Sequence, residues 1–340
     1  MDLVTHALSG AALGAACAPS PREQLPLMIV GAVAGMAPDL DALCGLRGPA
    51  AAWRNHRVWL HGLPTLPVQA LVIYLLAQGL STTPLNSSLL WLTIIGGLLV
   101  HLLLDTVTSF GTVLGFPFNR TRWSTHSHFI VDPGVLILLV VSLAADVPAI
   151  GLGLSGAWLL AGIAVRHHVV RTLREAIQRT GEPLLDLQVE PCPPAPFRWL
   201  VVVRQAVGHY SIARVSWRAQ VLTPWQTIRS HEDPQIQTRA RNLPVVRAFL
   251  DTVDCPCWTV TETTPAGTTV LLEDLKWRIF PPFRPLVFRI HLGTHPTKDR
   301  AIQMPLAWKG PNQSPHRPPA PWEVVVVTTA APPVKRAGEK

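Results

Sequence analysis

The sequence predicts an all-α polytopic membrane domain of about six apolar helices, some of them short, followed by a small cytoplasmic β-rich domain. Three observations carry this. Charged residues make up 15% of the 340, against roughly 25% in an average soluble chain. The charge is also split: residues 1–165 hold six Arg, no Lys and seven acids, a formal net of −1, whereas residues 166–340 hold 23 Lys plus Arg against 14 acids, or +9. Long runs carry no charge at all, the longest being the 47 residues between Arg57 and Asp105. A single soluble globule and a disordered chain are both excluded by these figures.

A helix that spans a bilayer needs about 20 apolar residues, and about 17 is the lower limit. Six segments approach this, at residues 3–18, 25–37, 63–80, 89–104, 133–145 and 147–165. The 47-residue run fits two helices joined by a polar turn at residues 81–86. A cleaved secretory signal would open on basic residues, but the first Arg is Arg22, so the first segment is expected to be a retained helix. Threading the chain through six crossings gathers Arg47, Arg54, Arg57, Arg120, Arg122, Arg166, Arg171 and Arg174 on one side and leaves Arg22 on the other. The positive-inside rule makes the first side cytoplasmic, and the chain a multi-pass protein of the inner membrane.

The first domain is thus 1–165. Residues 166–197 read as a basic exit helix (166–179) and a Pro-rich linker. A β-rich soluble domain at 198–330 follows, with β-type runs at 199–204, 210–217, 268–272, 286–290 and 324–328, then a flexible tail at 331–340. The Arg surplus of this half is expected to lie near anionic headgroups of the lipid bilayer. Nucleic acid is not expected as a partner, since no binding motif accompanies the charge. The five cysteines have no zinc-ligand spacing, and Cys255-Pro-Cys257 reads as an ordinary turn.

Ionisable side chains in apolar segments are costly and mark functional sites by default. His101 and Asp105, four apart, share a helix face, as a divalent-metal pair would. Asp39 and Asp41 follow Pro38, and an extended backbone there would aim both carboxylates one way. His56 and His61 flank Arg57, and His6 lies near the start of the first segment. Each has a plainer reading: helix caps, turn formers, or a satisfied core histidine. Asp132, before Pro133, could be a simple helix cap. His126 and His128 share its loop as further candidates, and His167 and His168 read as interfacial. Under the arginine-derived topology, His6, Asp39, Asp41, His56, His61, His101, Asp105 and Asp132 all fall near the cytoplasmic side. A His/carboxylate set without Cys suits Zn²⁺, with Mn²⁺ or Fe²⁺ as alternatives, in one or two ions.

The segments Thr5-His6-Ala-Leu-Ser-Gly10, Ala37-Pro-Asp-Leu-Asp41, His56-Arg-Val-Trp-Leu-His61-Gly, His101-Leu-Leu-Leu-Asp105 and Phe129-Ile-Val-Asp-Pro133 together resemble the YdjM-type family of inner-membrane metal-dependent hydrolases. The resemblance covers about residues 1–165 and implies a metal-binding membrane domain with hydrolase activity. The HxxxD pair is also similar, more distantly, to that of zinc-dependent phospholipase C and P1-type nucleases, which points to phosphoesters. Trp123-Ser-Thr-His-Ser-His128 lacks the acid that the resemblance would place there, leaving open what completes a second metal site.

The expected function is hydrolysis of a phosphoester, of a phospholipid or other amphiphile, by metal-activated water at the cytoplasmic face. His6, Asp39, Asp41, His56, His61, His101 and Asp105 are the candidate metal ligands. Asp41 or Asp132 is the candidate general base, and Arg57 the candidate phosphate clamp. Two other readings use the same features. A metal transporter or metal-dependent sensor would spread polar groups through the membrane depth, and a scaffold would use the basic domain to bind a partner.

Overall fold

A computed structural model describes residues 1–81, 85–193, 197–279 and 286–304. The expected strand at 324–328 and the tail at 331–340 lie outside them. The described residues form two compact units, Met1–Arg166 and His167–Cys192 with those from Phe197 onward.

The first unit is helical: α1 (Leu3–Cys17), α2 (Pro21–Met36), α3 (Pro49–Asn55), α4 (Leu66–Leu80), α5 (Ser87–Thr106), α6 (Pro133–Ala144) and α7 (Pro148–Thr180), the last running on into the second unit. Among the described residues, four helical stretches are long and apolar enough to cross a membrane: Pro21–Arg47, Leu63–Leu80, Ser87–Thr106 and Pro148–Thr180. The other two apolar helices, α1 and α6, have 15 and 12 residues. At 1.5 Å per residue they reach about 22 and 18 Å, short of a hydrocarbon core of about 30 Å. All six expected segments are therefore helices, but length alone supports four spans.

Caps explain three of the isolated polar residues. Asp2 accepts from the Val4 and Thr5 amides, Asn86 from Ser88 and Leu89, and Asp132 from Gly134 and Val135. Each satisfies backbone donors that a helix start leaves orphaned.

α1 and α2 pack antiparallel with their backbones in contact. A Cβ built on Gly10 would sit 2.0 Å from the Gly31 carbonyl oxygen, and one on Gly14 would sit 2.1 Å from that of Leu27. Gly10/Gly14 and Gly31/Gly35 each have the four-residue spacing that lets apolar helices approach closely. On α5, a Cβ at Gly97 would lie 2.9 Å from that of Ala34, so α5 nests against the same pair. Val30, Ala34, Leu66, Ala70, Ile73, Leu90, Ile94, Leu98 and Leu102 form the apolar core of α2, α4 and α5.

Between Met36 and Gly48 the chain winds as a 3₁₀ helix, Ala37–Arg47. This corrects the extended conformation expected around Asp39 and Asp41.

The second unit has two four-stranded antiparallel sheets, each with strands in sequence order. One holds β1 (Asp186–Pro191), β2 (Arg198–Ala206), β3 (His209–Ser216) and β4 (Gln226–Arg229); the other holds β5 (Pro256–Thr264), β6 (Gly267–Asp274), β7 (Val287–Gly293) and β8 (Arg300–Gln303). Two short helices, α8 (Pro234–Arg241) and α9 (Pro244–Leu250), lie between them in sequence. The stretch expected to be linker therefore contains a strand, β1. Its burial alternates only weakly, and Pro191 hid the signal. Cys255 and Cys257 are buried and free, with Cys257 in β5, so the expected turn there is a strand start.

Candidate metal centre

Three elements bring the donors together. α5 carries His101 and Asp105 one turn apart, the 3₁₀ helix carries Asp39 and Asp41, and the segment between α3 and α4 carries His61. That last segment is pinned from the loop that follows α5. The Val113 amide donates to the Arg57 carbonyl (3.2 Å) and the Leu63 amide to that of Leu114 (2.9 Å). Gly62 is needed here because a Cβ would sit 2.4 Å from the Phe116 carbonyl oxygen.

Asp39, His61, His101 and Asp105 each offer one ligand atom, all within 4.8 Å of one another. His61 Nε2 lies 3.1 Å from His101 Nε2 and 3.1 Å from Asp105 Oδ2. His101 Nε2 is 3.6 Å from Asp105 Oδ2, and Asp39 Oδ1 is 3.8 and 3.9 Å from the two Nε2 atoms. Donors about 2.1 Å from a tetrahedral ion stand about 3.4 Å apart, so these separations have the right size.

The protonation pattern makes the fit chemical as well as metric. His101 Nδ1–H donates to the Gly35 carbonyl oxygen at 2.6 Å, which leaves Nε2 as the lone-pair nitrogen. His61 Nδ1 lies 2.9 Å from Asp41 Oδ2, off the line of an ideal hydrogen bond, and this too directs Nε2 to the centre. Asp105 Oδ2 is buried and accepts no hydrogen bond among the described residues. With the His61 proton on Nδ1 toward Asp41, two imidazole lone pairs and a carboxylate oxygen face each other, an arrangement that suits a cation. Burial opposes protonation of His61, yet the adjoining negative carboxylates of Asp105 and Asp41 raise its pKa above the free imidazole's.

The remaining candidates divide into neighbours of this group and residues set apart from it. His6 stacks on His101 at 3.7 Å and reaches Asp105 Oδ1 with Nε2 at 3.1 Å. Asp41 lies behind His61: its Oδ2 accepts from the Val58 amide (3.2 Å), and its Oδ1 is 3.3 Å from Nδ1 of the part-exposed His56. Asp39 and Asp41 therefore flank opposite edges of one imidazole. A three-residue turn, unlike a strand, sends residues two apart in different directions.

Arg57, at φ 58° and buried, donates through Nη1 to Thr108 Oγ1 (2.9 Å) and through Nη2 to the Met1 carbonyl (3.1 Å). Its Nη2 is also 3.0 Å from Asp105 Oδ1, beside the Met1 amino group, which contacts the same oxygen. The guanidinium, expected from sequence to neutralise a phosphate, is here paired with the Asp105 carboxylate.

Asp132 caps α6 and accepts from Trp158 Nε1 at 3.1 Å, which matches its plainer reading. His128 bonds to Ser127 Oγ (2.9 Å) and packs on Gly162, while His167 and His168 are exposed on α7. Thr108 and the Gly35 carbonyl were missed by sequence reasoning. A hydroxyl and a backbone carbonyl carry no residue-level signature.

Uncharacterized protein YfhP of Bacillus subtilis (strain 168) is 23% identical over 304 residues, covering 86% of this chain and 91% of that protein, so the likeness extends into the β-rich unit. No solved structure matches the chain. The YdjM inner membrane protein family matches residues 1–172, the whole of the helical unit with its candidate metal-ligand group, and the chain belongs to that family.

Proposed function

We propose that the protein is a membrane-embedded metal-dependent hydrolase of a phosphoester in a lipid or other amphiphile, acting at the cytoplasmic face. The observation that supports it most is the meeting of the His61 and His101 lone pairs with the donor-less Asp105 Oδ2. Asp39, His61, His101 and Asp105 would hold one divalent ion, with Zn²⁺ the leading choice for a mixed His/carboxylate set. Such an ion supplies Lewis acidity, lowering the pKa of water toward about 7 and polarising a phosphoryl oxygen.

The chain's own residues divide the remaining work. The Gly35 carbonyl and Asp41 hold the two imidazoles in their ligating orientation. Arg57 holds Asp105 and offsets its charge. Asp39 is the one ligand of the four with an accessible side chain, 17% exposed against 0% for the others, so substrate and water approach from its side. His56, part-exposed and hydrogen-bonded to Asp41, is placed to carry a proton to or from solvent. The arginine bias of the sequence supports the cytoplasmic orientation.

The test is metal content per chain of detergent-purified protein, followed by hydrolysis of chromogenic phosphomonoesters, phosphodiesters and phospholipids. One equivalent of transition metal, absent from folded His101→Ala/Asp105→Ala protein, with activity lost on chelation and restored by Zn²⁺, is expected. Metal-loaded protein that cleaves none of these esters would overturn the hydrolase reading. A chain that binds no metal after reconstitution would overturn the centre itself.

A further inference from the structure

The β1–β4 sheet carries an unusual surface at one end. From Pro191 to His231 the sequence has no Asp or Glu but five Arg: Arg198, Arg204, Arg214, Arg218 and Arg229. At the end of the sheet where Arg198 pairs with Ser216, large apolar side chains stand in solvent: Phe197 at 39%, Trp217 at 44%, Val221 at 44% and Leu222 at 48% exposure. Arg198 and Arg218 are exposed beside them.

This end is built, not slack. The Ser216 amide donates to the Gln220 carbonyl (2.8 Å), that of Ala219 to the Ser216 carbonyl (2.9 Å), and that of Leu222 to the Arg214 carbonyl (2.7 Å). Ser216 Oγ accepts from the Arg218 and Gln220 amides, and Ala219 takes a left-handed φ of 58° to close the turn. The Arg218 guanidinium lies 4.5 Å over the Trp217 ring, so cation and aromatic face the same surroundings.

We propose that this end of the sheet docks on an anionic phospholipid surface, with Trp217, Val221 and Leu222 entering the headgroup–acyl boundary and Arg198 and Arg218 pairing with lipid phosphates. Charge and apolarity select this partner together. The exposed Arg198 and Arg218, in a stretch of sequence without acids, attract phosphate, and Trp prefers the interfacial depth, where its ring is buried and its N–H stays wet. A nucleic acid would also engage Arg and Trp, but the aliphatic Val221 and Leu222 offer no stacking platform for bases. The chain's apolar helices keep a lipid surface at hand.

The test uses the full chain in nanodiscs of phosphatidylcholine alone or mixed with phosphatidylglycerol, the acyl chains brominated to quench tryptophan on contact. The difference between wild type and Trp217→Phe isolates Trp217 fluorescence from that of the other tryptophans. Quenching of this component in anionic discs is expected. High salt should weaken it, and Arg218→Glu should cut the docked-to-free ratio about five-fold. These side chains are exposed, so both variants should fold, checked by unchanged circular dichroism. A Trp217 component left unquenched in anionic discs overturns the proposal and leaves a protein partner as the occupant. Equal quenching in both discs with no salt effect overturns the role of the arginines.

Discussion

At the residue scale, the centre depends on side chains that touch no ion themselves. Asp41 orients His61 from behind and holds His56 on its other oxygen. Asp41→Asn should therefore lower metal affinity about 10–100-fold while keeping the fold, measured by competition with a chromogenic chelator. Arg57 does a different task, since its guanidinium spans Thr108, the Met1 carbonyl and Asp105. Arg57→Met leaves a buried carboxylate without its partner and is expected to cost about 3–5 kcal/mol of stability. Arg57→Lys should rescue little, because one ammonium cannot reproduce the fork. Thermal unfolding in detergent measures both; full stability in Arg57→Met would mean that the ion pair contributes nothing to the fold.

At the element scale, the helices set the distances within the centre. His101 donates to the Gly35 carbonyl of α2, and His6 of α1 stacks on His101, so the spacing of α1, α2 and α5 decides where the imidazoles stand. Gly31 lets the first two helices touch: its Cβ would fall 2.1 Å from the Gly10 carbonyl oxygen, and backbone cannot yield as a side chain can. Gly31→Val should thus lower stability by about 1–3 kcal/mol or more and reduce bound metal with it. Gly79 of α4 has nothing within 4 Å of a built Cβ. Gly79→Ala should accordingly be neutral or stabilising by about 0.4–1 kcal/mol, with metal content unchanged. Elemental analysis beside a thermal melt separates the two outcomes.

At the scale of the whole molecule, two units with different physics share one chain. The β-rich unit buries an ion-pair cluster where the first unit buries its candidate metal donors. Lys276 Nζ contacts Asp254 Oδ2 at 2.5 Å and lies 3.7 Å from Asp274 Oδ2. Burial pushes the Asp274 pKa up from 3.8 to about 6, with Lys276 only partly opposing it. A folded carboxyl with a raised pKa binds its proton more tightly than the unfolded one. Its contribution to stability is complete below about pH 4 and is lost as pH rises through about 6. Lys276 acts in the same sense, since its pKa is also raised, but its contribution disappears only in strong alkali. Wild type should therefore lose stability between pH 4 and 7 relative to Asp274→Asn, by on the order of 2–3 kcal/mol. Labelling of the buried Cys255 and Cys257 in urea, pulsed at one fixed pH after incubation, reads the unfolding of this unit. A difference that does not change with pH would show that Asp274 stays ionised in the folded unit.

What the sequence determined by itself was the part set by local composition. Apolar runs, free of charge over a helix's length, located six helices, the last continuing through the basic exit stretch to Thr180, because lipid and core both reject unpaired charge. The HxxxD spacing likewise placed His101 and Asp105 together, since a helix brings residues four apart to one face. What only the tertiary structure decided was the division of labour among the candidates. Asp39 and Asp41 look equivalent in sequence, yet one joins the donor group and the other supports it, because a 3₁₀ turn separates their directions. Asp132 is as acidic and as apolar in setting as Asp105, yet it caps a helix. Arg57 meets Asp105 across 48 residues of chain, and Gly35 meets His101 across 66. Contacts of that range depend on how helices pack, and packing is settled by the whole set of touching surfaces rather than by any one stretch of sequence.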